Sequence, residues 1–376
     1  MTGHKHVTVA LILLVAAWAC ASSPTAPKPH KQLRYLMGTL VEIAAYPSDE
    51  TSIAAEKTEE AINAAFEELK RLDAMLSNWR ADSELMQLNR SANSAGAPVK
   101  VSQELFDRLQ KALLIAARTG GGFDPTVGPL VRAWGFLPTS GIPGDTQAVE
   151  DAGQRVGWKK IILDSESRSV KFRAPGMEVD LGGIAKGYAA QRALQILHDH
   201  GVTVGVVSMG SSSIAVLGDL PGSAASHHAD PICPCWRFRV RDPGQPERAV
   251  AEVQLTSAEA LATSGTYEKV VSGKGGRRSH IINPHTGEAI TGEISVTVVA
   301  EDAETADALT KPFFFVHSLH SPEAQRILQN FPKASVMLIA RQGQSLRIET
   351  AGAQPARFVS LLSNRGTATT YAAKTR

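Results

Sequence analysis

Three things are scarce in this sequence: cysteine, aromatic side chains and charge of one sign. Of its 376 residues only Cys20, Cys233 and Cys235 are cysteines, so no network of disulfides holds the fold. Aromatic residues make up 6% and do not interleave with basic runs, as stacking on single-stranded nucleic acid requires. The 39 basic residues nearly balance 37 acidic ones, a net charge of +2. No whole-molecule field draws in a polyanion, nucleic acid is excluded as a partner class, and any anion site is local. What is abundant is apolar material. A content of 43% hydrophobic and 20% charged residues is that of a globular protein with a real core, in one large domain or two intimate ones.

The N-terminus reads as an export signal. His4, Lys5 and His6 precede an apolar run from Val7 to Trp18, too short for the roughly 20 residues of a membrane span. Residues 1–19 are therefore expected to be a signal peptide. The run ends Ala17-Trp18-Ala19-Cys20-Ala21, which resembles a bacterial lipobox. Cleavage before Cys20 with lipidation there and plain secretion after Ala19 both place the mature protein outside the cytoplasm, on the periplasmic side of a bacterial membrane. Residues 20–32 then form a tether, lipid-anchored in the first case. His227, His228, Cys233 and Cys235 fall in an insertion at about 218–235, with three readings open. They are a strained disulfide, a soft-metal site, or incidental residues of an exposed loop.

From 33 to 350 the pattern is that of one α+β domain. Within Leu33 to Tyr46, Met37-Gly38-Thr39 leads into the alternating residues Leu40 to Ala45 of a strand, and Ser52 to Leu76 places Ile62, Phe66, Leu69 and Leu72 at helical spacing. A helix capped by Ser102 runs to the glycines at 120–122, with Leu105, Leu109, Leu113, Leu114 and Ala117 as its core stripe. Strand-like Met177 to Leu181 leads into a helix from Gly182 to His200 that buries Ala189, Ala193, Leu194 and Leu197. Further strands are expected at 161–163, 170–172, 203–207, 214–217, 238–241, 249–255, 295–299 and 336–340. Strands and helices mix without regular alternation or a G-x-G-x-x-G turn, which favours α+β over a doubly wound sheet. Residues 351–376 lack periodicity and read as a partly disordered tail.

Four polar stretches lie at element ends, where ligand sites are built. In Gly122-Phe123-Asp124-Pro125-Thr126 the glycine admits close approach, although a helix cap and turn would use the same residues. Asp180-Leu181-Gly182-Gly183 through Lys186 aims backbone N–H groups and a lysine at one point, an anion-binding arrangement that is not a Walker loop, although Asp180 as a cap with Lys186 in solvent would use the same residues. His280, among hydroxyls and before Ile281-Ile282-Asn283-Pro284, is a candidate general base. Glu304 to Lys311 starts a helix whose carboxylates suit either capping or Mg²⁺.

In this order, and with Met37-Gly38-Thr39 and Ser77-Asn78-Trp79 before them, these stretches resemble the ApbE family of FAD:protein FMN transferases from Met37 to about Ile348. The resemblance implies a T-fold-like α+β architecture of mixed sheets with packed helices. It also implies a reaction, Mg²⁺-dependent cleavage of FAD with FMN passing to a Thr or Ser of a respiratory redox-complex subunit and AMP leaving. Carried over residue by residue, Met37, Trp79, Gly122, Phe123, Asp124, Asp180, Lys186 and Ile282 would contact FAD. Gly183 and Asp307 would hold Mg²⁺, and His280 would be the base. Two positions depart from the family. Lys311 stands where a metal-bound Thr is usual, and Ser211 falls in a loop that usually carries an Asn and a glycine pair. These departures leave two alternatives to transfer, a non-catalytic FAD carrier and an FAD pyrophosphatase.

Overall fold

The computed structural model describes residues 28–92, 96–137, 142–220, 236–257, 259–273, 276–362 and 368–371. The opening segment is a hairpin whose second strand is the alternating stretch expected after Met37-Gly38-Thr39. Strands β1 (His30–Leu36) and β2 (Thr39–Tyr46) pair antiparallel across Met37-Gly38. Both turn residues have positive φ, 52° and 70°, the geometry whose twist matches that of the paired strands. His30, Lys31 and Gln32 already pair with Ala45, Ala44 and Ile43, so the tether expected to 32 overlaps the first strand. The leader and Cys20 lie outside the described residues.

Helix α1 (Ser52–Leu76) starts where Thr51 Oγ1 accepts the Ala54 N–H at 3.2 Å, satisfying one of the N–H groups a helix start leaves free. Its buried stripe runs through Ala61, Ile62, Ala65, Phe66, Leu69 and Leu72. Phe66 is wholly enclosed, and truncating such a ring to alanine costs about 3–5 kcal/mol. After α2 (Glu84–Ser91) and β3 (Val99–Lys100) comes α3 (Gln103–Arg118). Here the expected stripe is corrected. Leu105 and Leu109 are buried, but Leu114 is 46% exposed, and Phe106, Ala112, Ile115 and Ala116 complete the core face. One position along a helix turns a side chain by about 100°, enough to carry Leu114 out of the contact.

Helices α4 (Gly128–Ala133) and α5 (Thr146–Gly153) precede β4 (Ile161–Asp164) and β5 (Ser169–Phe172), which form a small sheet in the order β3-β5-β4. Met177 to Leu181, read as a strand, is extended but belongs to no named strand. It makes an isolated bridge between Glu178 and Val127 and donates the Asp180 N–H to the Pro125 carbonyl at 2.7 Å. Helix α6 (Ala185–Asp199) buries Ala189, Ala193, Leu194 and Leu197.

The rest of the chain is mostly sheet. Strands β6 (Val204–Met209), β7 (Ser213–Leu217), β8 (Trp236–Asp242), β9 (Gln245–Leu255), β10 (Ala260–Gly265), β11 (Val270–Gly273), β12 (Gly276–Ser279) and β13 (Glu293–Ala300) lead to α7 (Ala303–Leu309) and α8 (Pro322–Asn330). Strands β14 (Ser335–Gln342), β15 (Ser345–Gly352), β16 (Phe358–Ser360) and β17 (Ala368–Tyr371) follow. The main sheet runs β1-β2-β6-β7-β10-β13-β14-β15-β17, and only its β15–β17 pairing is parallel. Its two faces bury different partners. Val336 and Leu338 join the helices in one cluster, while Met337 and Ile339 meet Val250, Val253 and Phe358 of the sheet β16-β9-β8 in another. Burial on both faces is why β14 reads as an unbroken apolar run from Val336 to Ala340.

The polar stretch after 350 therefore contains structure that its sequence hides. Phe358 is its buried anchor, and β16 pairs with β9. Of the insertion between β7 and β8, residues 221–235, with His227, His228, Cys233 and Cys235, lie outside the described residues.

Candidate active site

The four polar stretches converge on one cleft with the β1–β2 turn at its edge. It holds about 1540 Å³ of atom-free space, its open mouth included. Met37, Trp79, Gly122, Phe123, Asp124, Asp180, Gly183, Lys186, His280, Ile282 and Lys311 all line it. Asp307 lies just behind the wall, 2% exposed.

Each lining residue is positioned by its element. Met37 occupies the left-handed turn position, where Asn, Asp or Gly is the usual choice. Trp79, in the loop after α1, is 61% exposed, with Lys269 Nζ 5.7 Å from its ring centre. It is a free aromatic face at the cleft. Gly122 is required by packing, since a Cβ there would lie 2.7 Å from the Pro312 side chain. Phe123 and Ile282 are buried apolar wall. Asp124 faces the cleft with its oxygens already engaged. Its Oδ1 accepts from the Thr126 N–H at 2.8 Å and the Thr126 hydroxyl at 2.6 Å, and its Oδ2 from the Trp158 N–H at 2.9 Å. Burial pushes its carboxyl up despite these bonds. Asp124 ties its own loop to the one at Trp158. Asp180 Oδ1 accepts the Gly182 N–H at 2.6 Å, which shapes the glycine turn before α6.

The three lysines of the cleft act together on one side chain. Lys186, Lys269 and Lys311 stand around His280, and burial first, then these three charges, push its imidazole down to about 3. It is neutral at any physiological pH. Its backbone N–H is taken by the Lys269 carbonyl at 3.1 Å, and Phe136 meets its ring edge-on at 6.3 Å. Nδ1 is buried without a hydrogen-bond partner among the described residues.

The residues expected to hold Mg²⁺ are arranged differently. Lys311 Nζ lies 2.7 Å from Asp307 Oδ1 and 2.8 Å from the Asp307 carbonyl oxygen, while Asp307 Oδ2 accepts the Gly187 N–H at 3.1 Å. Burial would raise the Asp307 carboxyl, but Lys311, Lys186 and that N–H outweigh it and hold it low. Both carboxylate oxygens are therefore committed. Thr310 does not replace the missing ligand, for its hydroxyl bonds Ser264 Oγ and the Asp307 carbonyl, each at 2.8 Å. Mg²⁺ demands near-octahedral oxygen ligands at about 2.0–2.1 Å, and an ammonium on the carboxylate is not such a donor set. These residues do not fit the metal.

The ApbE family model matches residues 37–338. The chain belongs to the ApbE family. A protein of Klebsiella pneumoniae (strain 342) named FAD:protein FMN transferase is 30% identical over 92% of this chain and 95% of its own. One of the same name from Treponema pallidum (strain Nichols) is 29% identical over 89% and 91%. The crystal structure of the ApbE protein of Thermotoga maritima superposes with a TM-score of 0.69 at 29% identity, covering 83% of this chain and 94% of that one. The α+β architecture is thus that of ApbE proteins.

Against that family pattern, Ser211 sits at φ 57°, the left-handed region, in the turn between β6 and β7. Residues beyond those carried over as FAD or metal contacts also line the site. Asn78, beside Trp79, lines the cleft with a buried Oδ1 that has no hydrogen-bond partner among the described residues. Lys269 and Glu268 line it from the segment between β10 and β11, where nothing local separates them from surface charges.

Proposed function

We propose that this protein is an exported FAD:protein FMN transferase. The observation that carries the reading is a neutral His280 in the wall of a cleft that also holds three lysines and the exposed Trp79 ring. The lysines suit a pyrophosphate, and Trp79 suits stacking on an aromatic ring of FAD. The acceptor is a Thr or Ser hydroxyl of another protein, of the kind found in flavin-carrying subunits of respiratory redox complexes.

The hydroxyl oxygen attacks the FMN-side phosphorus, its proton passes to the His280 imidazole, and the bond from that phosphorus to the bridging oxygen breaks. AMP leaves with that oxygen. Positioning and charge neutralisation carry most of such a transfer. Lys186, next to the glycine turn, and Lys269 supply positive charge beside the cleft, and the ordered loop at Asp124 keeps the wall in register. No step is routed through Mg²⁺. The leader and Cys20 support export, with the lipid anchor as the link to a membrane.

The test is to incubate the purified protein with FAD and a flavin-acceptor domain, then read intact mass and in-gel flavin fluorescence. A fluorescent acceptor heavier by one FMN is the expected result. FAD bound but whole would instead establish a carrier, and free FMN and AMP without an adduct a pyrophosphatase.

A further inference from the structure

We propose that the Lys311 ammonium, seated on Asp307, is the resident cation of the pyrophosphate site, so that this chain binds FAD without a divalent metal. The inference rests on the FAD reading above and concerns how the same cleft handles the charge of its substrate.

Three observations place the ammonium there. Asp307 engages it twice, through Oδ1 at 2.7 Å and the main-chain oxygen at 2.8 Å. With one further N–H, and no other partner among the described residues, the ammonium retains a donor for a ligand. The stem of the lysine packs closely over Gly183, for a Cβ there would come within 3.1 Å of Lys311 Cε. The lysine is also well shielded and still open to the cleft, with 19% of its side chain exposed against 3% for Asp307. Asp307 is in turn fixed from behind by the Gly187 N–H at the start of α6, so the carboxylate cannot swing away without giving up that bond.

The arrangement does two things a bound metal would otherwise do. It neutralises a buried carboxylate that would repel phosphate, and it presents a positive donor to the cleft. Lys186 and Lys269 supply the remaining positive charge. A divalent ion would have to displace the ammonium from Asp307 and then sit beside it, at a cost in like-charge repulsion.

The experiment measures FAD affinity by flavin fluorescence in EDTA and in Mg²⁺, and Mn²⁺ binding by calorimetry without FAD. It uses the full mature protein and the variants Lys311→Thr and Lys311→Met. The wild type is expected to bind FAD equally in both buffers and to give no Mn²⁺ isotherm. Lys311→Thr should lose about tenfold or more in EDTA, as loss of a charge-assisted bond implies, and recover in Mg²⁺. Lys311→Met, which offers no oxygen, should lose affinity without recovery. The proposal is overturned by wild-type FAD binding that collapses in EDTA, by stoichiometric Mn²⁺ binding to the wild type, or by variants that bind FAD as tightly as wild type in EDTA. If the variants do not fold, the two wild-type measurements still decide. Metal-independent FAD binding with no adduct on any acceptor would end the transferase reading and leave the lysine assignment standing.

Discussion

The Gly187 N–H donates to Asp307 Oδ2 at 3.1 Å, which joins the first turn of α6 to α7 and sets the back wall of the cleft. The helices approach so closely there that a Cβ on residue 187 would lie 2.0 Å from the Ala303 carbonyl oxygen. Gly187→Ala therefore has to push α7 away. It should cost about 1–3 kcal/mol, the usual range for overpacking, and weaken FAD binding as Asp307 and Lys311 shift. Urea denaturation and a flavin titration on the same sample check both effects. An unchanged midpoint would contradict the close crossing.

Ser211 holds φ at 57° with its side chain exposed. A non-glycine residue in the left-handed region costs roughly 1–2 kcal/mol, so Ser211→Gly should stabilise the protein by about 1 kcal/mol after the loss of unfolded-state rigidity. Thermal unfolding reads the gain as a higher Tm.

Met37 presents the reverse case. It occupies a strained turn position, φ 52°, and its side chain lines the cleft, a pairing of strain with function that is common at binding sites. Met37→Asn should make the hairpin more stable and the complex with FAD weaker. A gain in both would remove the case for Met37 as a ligand contact.

His280 makes stability depend on pH with a definite sign. Burial and then Lys186, Lys311 and Lys269 hold its folded value at about 3, against 6.5 for the free side chain. Below 6.5 the unfolded chain takes up a proton that the folded one refuses. The contribution is complete above pH 6.5 and lost as pH falls toward 3, at about 1.4 kcal/mol per unit. Denaturation at pH 7.5 and 5 should show the wild type losing roughly 2 kcal/mol more than His280→Gln, while transfer by the variant falls on the order of 10²–10⁴-fold. Bound FAD carries the opposite charge to the lysines, so the imidazole should titrate higher in the complex. Ring NMR signals over a pH series with and without FAD test that directly.

Local pattern carried much of this molecule. The 3.6-residue spacing in α1 and the cap at Ser102 show their helices directly, because the physics that forms a helix acts within a few residues. The turn at Met37-Gly38 left less trace, since methionine is not a residue that announces a left-handed turn. The strand β10 passed unnoticed behind its Thr and Ser residues, and β16 behind a polar tail with a single buried Phe358. Both form because of partners far away in the chain, β7 and β13 for one and β9 for the other.

The ordered motifs by themselves determined the family and which residues would line the cleft, because each motif is contiguous and sits at the end of an element it also terminates. Tertiary structure alone decided what those residues do. That Lys311 rests on Asp307, that Asp124 is bound within its own wall, and that His280 is neutral are consequences of distances between atoms on different elements. Coulomb energy and desolvation depend on those distances, and no spacing along the chain states them.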